Sequence, residues 1–270
     1  MTVAQEAVAA PASPRLSQKT VVLLGRCAFA ALLLLAWQWG ANVFGNLFFA
    51  PPLAVLDRLY DMAASGEMFW DVWATLKVSA IGFVIAVTLG LGLPFLLRLS
   101  PRVTEAVQPY VFWSQGIPKY ALAPWLILWF GIDDLPKVVI VIMMVFYIIF
   151  YNVFAGIHAV DRRLINTARV LGASETVIAR EVIWKSLQPF FYAGMKIAAP
   201  HAVGACIVGE FLVSSAGVGY YIEHARELSD TTGVFAGIVV AMVLVLVINA
   251  IVVRMERAAL AWRPVERDMR

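Results

Sequence analysis

Six apolar runs, each about long enough to cross a bilayer as a helix, recur along this chain and leave it little choice of fold. They cover about residues 21–44, 75–97, 103–130, 137–158, 190–213 and 233–253. No water in the hydrocarbon layer can pair their peptide groups, so each run must satisfy its backbone internally, and unbroken stretches of this length do so as helices. Apolar residues make up 61% of the chain and charged residues 14%, which excludes an ordinary soluble domain. The expected fold class is an all-α membrane protein with six transmembrane helices.

The first run follows Arg15 and Lys19 as a signal peptide would, but it exceeds a signal core in length and carries Trp37 and Trp39 near its far end, so it reads as a retained span. Residues 1–18 and 255–270 are expected to be tails flanking a six-helix membrane domain at 19–254. Pro51 and Pro52 introduce a short helix lying on the membrane surface, with Leu53, Leu56, Leu59 and Tyr60 on one side. The third run is interrupted at Gly116-Ile117-Pro118 and again at Pro124, so a break near mid-membrane is expected; Pro200 marks a kink in the fifth. Cys27 and Cys206 lie far apart inside apolar runs and read as free thiols, and no metal-binding motif is present in the sequence.

Residues 161–189 stand apart from this pattern. They are too polar to enter a bilayer, yet Leu164, Ile165, Ala168 and Leu171 recur at helical spacing and leave Arg162, Arg163, Asn166 and Arg169 on the other side. Asp161 is placed to cap this helix, Gly172 to turn the chain through left-handed backbone angles, and Ser174 to cap a second helix reaching about Ser186. Such a hairpin is either a solvated surface element or a docking element.

Six spans put both termini, the Arg98–Arg102 turn and the 161–189 segment on one side. That side holds Arg15, Lys19, Arg98, Arg102, Arg162, Arg163, Arg169, Arg180, Lys185 and five C-terminal arginines, while the opposite loops are mostly acidic. The positive-inside rule makes the first side cytoplasmic.

The 161–189 segment resembles the cytoplasmic EAA loop of ATP-binding-cassette (ABC) importer permeases. Asn166-Thr167-Ala168 stands at the Glu-Ala-Ala position, Gly172 is retained and Pro189 closes the segment; Asn166 and Thr167 depart from the family's Glu and Ala. The stretches GIPKYALAPWLILWFGI, GEFLVSSAGVGYYI and MERAALAWRP, with Ser65-Gly66-Glu67, resemble the nitrate, sulfonate and taurine branch. The resemblance implies a type I (MetI-like) permease fold in a bacterial inner membrane. It also implies a homodimer, a cytoplasmic ATPase dimer carrying ATP and Mg, and an extracytoplasmic solute-binding protein, with no cofactor on this chain; the net charge of +3, small and spread along the chain, points to no nucleic acid. The ATPase contact then falls on Leu164, Asn166, Thr167, Ala168, Arg169, Leu171, Gly172, Ala173, Ser174 and Glu175. No GxxxxGK[ST] phosphate loop occurs in the chain, in keeping with that division of labour.

Three polar residues in the runs are candidates for a substrate pathway: Lys119 beside the break, His201 beside Pro200, and Glu210 near the end of the fifth run, where it faces a second protomer or an outer gate. Lys119 is alternatively a packed structural lysine, His201 a satisfied buried imidazole, and Lys196 snorkels to headgroups. The expected function is uptake of a small anion such as a sulfonate, taurine or nitrate by alternating access, an aromatic acid or vitamin precursor being also compatible. A gradient-driven carrier or channel is the alternative; it would call for several mid-membrane carboxylates, and Glu210 is the clear one.

Overall fold

A computed structural model describes residues 18–45 and 48–262, with the side chains of Lys19 and Glu67 left out. Of the tails expected at 1–18 and 255–270, residues 1–17 and 263–270 lie outside the described residues, and residues 255–259 continue the last helix. The described chain is helical: α1 (Gln18–Phe44), α2 (Pro52–Ser65), α3 (Glu67–Leu97), α4 (Pro101–Gln115), α5 (Ala123–Phe130), α6 (Asp134–His158), α7 (Arg162–Val170), α8 (Glu175–Leu212), α9 (Val218–Glu227) and α10 (Thr231–Ala259).

Five helices, α1, α3, α6, α8 and α10, are long and apolar enough to cross a membrane. The expected third crossing is divided between α4 and α5. A short 3-10 turn at Lys119–Leu122 joins them after Gly116 and Pro118, where proline supplies no N–H and holds an extended ψ of 93°. The break anticipated from the sequence is thus present, and it splits the run into pieces of 15 and 8 residues.

The core lies where α3, α6 and α8 meet. Val141, Val145, Ile149, Ala198 and Cys206 are fully buried there. Close approach depends on glycine: a methyl on Gly82 would sit 2.6 Å from Val141, and one on Gly194 2.9 Å from Asn152. A second cluster gathers Ala50, Val55, Met62, Val218 and Ala236, tying α2 and α9 to α10. On α2 Val55 and Met62 are buried and Leu59 packs beside them, whereas Leu53, Leu56 and Tyr60 are exposed. Helix α1 is the outlier. Its membrane-length window has no buried residue, and it is anchored at one end, where the Trp37 indole N–H donates to the Ala50 carbonyl and stacks on Phe235.

The second helix of the 161–189 segment does not stop near Ser186. It continues as one 38-residue helix through a π-helical stretch at Ile178–Ile183 and past Pro189 and Pro200. Ile178, Ile183 and Leu187 are buried in the main core, so one apolar face runs unbroken across the segment and holds the helix together despite the missing proline N–H.

Candidate functional site

Two constructions stand out, one at each end of the bundle. At the α7 end, the Asp161 carboxylate accepts from the Arg163 backbone N–H at 2.8 Å and caps α7. At the far end of α7 the Gly172 N–H donates to the Arg169 carbonyl at 2.9 Å and the Ala173 N–H to the Ala168 carbonyl at 3.0 Å, with Gly172 at φ +81°. This pair of bonds is the Schellman stop, which needs a left-handed residue at the position of Gly172. The Ser174 hydroxyl accepts from the Val177 N–H and starts α8. Arg169 then closes the corner through Glu175, with contacts of 2.8 and 3.0 Å.

The stripe expected on α7 divides in two. Ile165, Ala168 and Ala173 pack against the core, but Leu164 and Leu171 turn away from it. Leu171 is 80% exposed and Val170 87%, an apolar platform at the end of α7, and Leu164 and Val177 elsewhere on the hairpin are exposed too. Arg162, Arg163, Asn166 and Arg169 are exposed as expected, with Arg169 held by Glu175, and Thr167 is exposed too. A rigid corner that presents unpaired apolar side chains is suited to receive another protein surface. Val170 and Val177 were not singled out in the sequence because neither belongs to the α7 stripe.

At the α2 end, Glu210 is 2% exposed and belongs to this chain's own interior rather than to an outward-facing surface. Both its carboxylate oxygens accept from the Thr75 hydroxyl, at 2.8 and 3.0 Å, and Oε2 also accepts from the Gly219 N–H at 2.8 Å. The Cys206 thiol lies 3.5 Å from Oε1. The Thr75 hydroxyl in turn accepts from the Val218 N–H, and the Asp71 carboxylate accepts from the Gly217 N–H at 2.7 Å. The chain between α8 and α9 is thereby folded back onto α3. Neighbouring Lys137 bonds the Ser214 hydroxyl and Asp134, which also pairs with Lys77. A glutamate in an apolar run demands donors, and Gly217 and Gly219 at the start of α9 were the signal for where they lie; Thr75 carried none.

The remaining candidates are not brought to one site. Lys119 sits at the break, donating to the Gln115 carbonyl at 2.6 Å and the Ile117 carbonyl at 3.3 Å, with its ammonium 4.7 Å from the centre of the Tyr147 ring. It therefore covers the carbonyl end of α4, a structural role for a cation. His201 is exposed on α8 rather than buried, its Nδ1–H donating to the Ile197 carbonyl. Lys196 does not reach freely to headgroups but pairs with Glu256 of α10 at 2.8 Å. Among the described residues no cluster of three or more His, Cys, Asp or Glu is placed to hold a metal ion.

Residues 80–260 match the family described as binding-protein-dependent transport system inner membrane component. The chain is 31% identical over 87% of its length to the formylaminopyrimidine transport permease protein ThiX of Halalkalibacterium halodurans, covering 94% of that protein. It is also 31% identical over 86% of its length to the putative aliphatic sulfonates transport permease protein SsuC of Bacillus subtilis, covering 85% of that protein. Among solved structures, an inward-facing MetNI methionine ABC transporter chain is similar in fold, with a TM-score of 0.62 at 20% identity over 70% of this chain and 94% of that one.

Proposed function

Since the chain belongs to the family of binding-protein-dependent transport system inner membrane components and is the membrane-spanning subunit of an ABC importer, we propose that it carries a small anion inward, driven by an ATPase dimer seated on the α7 end. The exposed apolar side chains of Val170 and Leu171 on a capped, ion-paired corner, with Leu164 and Val177 exposed on the same hairpin, carry this reading. A motion of the ATPases reaches the spans only through a stiff element, and α8 runs without interruption from that corner into the core. Both termini and the α7 end lie in the cytoplasm by the distribution of arginine and lysine, and a solute-binding protein meets the α2 end. Two copies of the chain form the pathway, with the α4–α5 break facing it. The substrate is of the sulfonate class, by the likeness to SsuC. Glu210 has its oxygens tied to donors of its own chain, which favours this reading over a gradient-driven carrier needing a free carboxylate.

The test is ATP hydrolysis in proteoliposomes holding the permease with its ATPase and binding protein. Taurine or an alkyl sulfonate is expected to stimulate hydrolysis, and Gly172→Pro to assemble yet lose the stimulation. Stimulation by a formylaminopyrimidine alone would remove the anion assignment and leave the docking role standing. Hydrolysis indifferent to the permease and to Gly172→Pro would remove both.

A further inference from the structure

Behind α7 lies a cavity of about 640 Å3, walled by the start of α4, the end of α6 and α7 itself. Arg98, Arg162 and Arg169 line it, with Glu105 as the acidic residue among them. Arg169 is engaged by Glu175. Arg98 reaches that same carboxylate only at 3.7 Å, although its side chain is just 14% exposed, and its Nε–H is buried with nothing to donate to. Arg162 and Glu105 form no ion pair among the described residues. Three guanidinium groups therefore face two carboxylates, with a buried donor left over, and buried donors are almost always matched by an acceptor. Helix α4 adds to the same field: Pro101 and Thr104 of its first turn line the cavity, and no side chain caps that end.

We propose that this cavity binds a phosphate-type oxyanion, held by Arg98 and Arg162 at the N-terminus of α4. Planar guanidinium forks suit such an anion because two N–H groups meet two oxygens at once. Arg98 directly follows the last residue of α3, so the site lies at the membrane boundary, where the anion is either the headgroup of an acidic lipid or free phosphate. An occupant bridges the α3–α4 corner to α7 and so stiffens the coupling segment against the bundle. The proposal rests on the cytoplasmic placement of α7 only for which leaflet supplies the lipid. Its test needs no ATPase, so it fails or stands apart from the transport reading.

The full chain is purified, with Arg98→Gln, Arg162→Gln and Glu105→Gln variants. One arm compares thermal unfolding midpoints in sodium phosphate and in sodium chloride at equal ionic strength. The other counts lipids retained in native mass spectrometry after exposure to phosphatidylglycerol or phosphatidylcholine vesicles. The native chain is expected to respond in at least one arm: to phosphate if the anion is free, to phosphatidylglycerol if it is a headgroup. Each arginine variant should weaken that response by about tenfold in affinity, about 1.4 kcal/mol, and Glu105→Gln should strengthen it. Arg162 is exposed and has no ion-pair partner, so its variant reports even if Arg98→Gln does not fold. A native chain silent in both arms, or a response that Arg162→Gln leaves unchanged, overturns the proposal.

Discussion

The Thr75 hydroxyl donates to both carboxylate oxygens of Glu210, at 2.8 and 3.0 Å, and joins α3 to α8 inside the α2 end of the bundle. Every polar contact of that carboxylate is a donor: the Thr75 hydroxyl, the Gly219 N–H and the Cys206 thiol. Glutamine keeps the shape but sets an NH2 group against one of those donors. Glu210→Gln should therefore cost about 1–3 kcal/mol, the range for a buried polar group left unpaired. Thr75→Val should cost a similar amount, because it strands the Val218 N–H as well. Thermal unfolding of the purified variants in detergent measures both; unfolding unchanged from the native chain would mean that the knot contributes nothing.

The return of the chain after Glu210 is built around two glycines, Gly217 before α9 and Gly219 in its first turn. A methyl on Gly217 would land on the Glu210 carboxylate and would also hold alanine at φ +122°, and one on Gly219 would meet the Ile207 carbonyl at 2.6 Å. Gly217→Ala and Gly219→Ala should each lower stability by about 1–3 kcal/mol or more through overpacking. Gly92 and Gly204 are helical with no atom within 4 Å of an added methyl, so Gly92→Ala and Gly204→Ala should be neutral or stabilising by up to about 1 kcal/mol. The yield of folded protein by size-exclusion chromatography separates the two pairs, and equal yields across all four would contradict the packing argument.

Much of this design was legible in the residues, for reasons that differ by element. The spans follow from hydropathy, and the caps of α7 and α8 from Asp161, Gly172 and Ser174, because each of those side chains or backbones acts within a few residues of its own position. What escaped depended on distant partners. Helix α8 runs past Pro189 because Ile178, Ile183 and Leu187 meet the core, a fact of packing. Thr75 and Glu210 lie 135 positions apart, and Lys196 and Glu256 60, so neither pairing leaves a mark in local spacing. Leu164 and Leu171, seven residues apart and so on one side of α7, are exposed because the core meets the side that carries Ile165 and Ala168.

The tip of the hairpin offers a cleaner test of docking than any change to its turn. Leu171 is 80% exposed and contributes nothing to the core, so Leu171→Asp should leave the unfolding midpoint of the isolated permease within about 0.5 kcal/mol of native stability. If the platform seats an ATPase, the same change buries a charge in the interface, and co-purification of the ATPase should fall by about tenfold or more. Undiminished co-purification of both Leu171→Asp and Val170→Asp would place the contact elsewhere.

The Lys196 ammonium and the Glu256 carboxylate meet at 2.8 Å between α8 and α10, with side chains 38% and 20% exposed. Met195 and Met255, their sequence neighbours, line an apolar groove between the same helices, so the pair stands beside a surface with few polar alternatives. Removing one partner there leaves the other poorly solvated. Lys196→Met should consequently destabilise more than the double variant Lys196→Met/Glu256→Leu, which replaces the pair by apolar side chains. A double-mutant cycle on thermal stability should return a coupling of about 0.5–3 kcal/mol, the range for residues in direct contact. Additive effects would mean that each side chain finds headgroups or water on its own, as the sequence position of Lys196 had suggested, and that α8 and α10 are held by apolar packing alone.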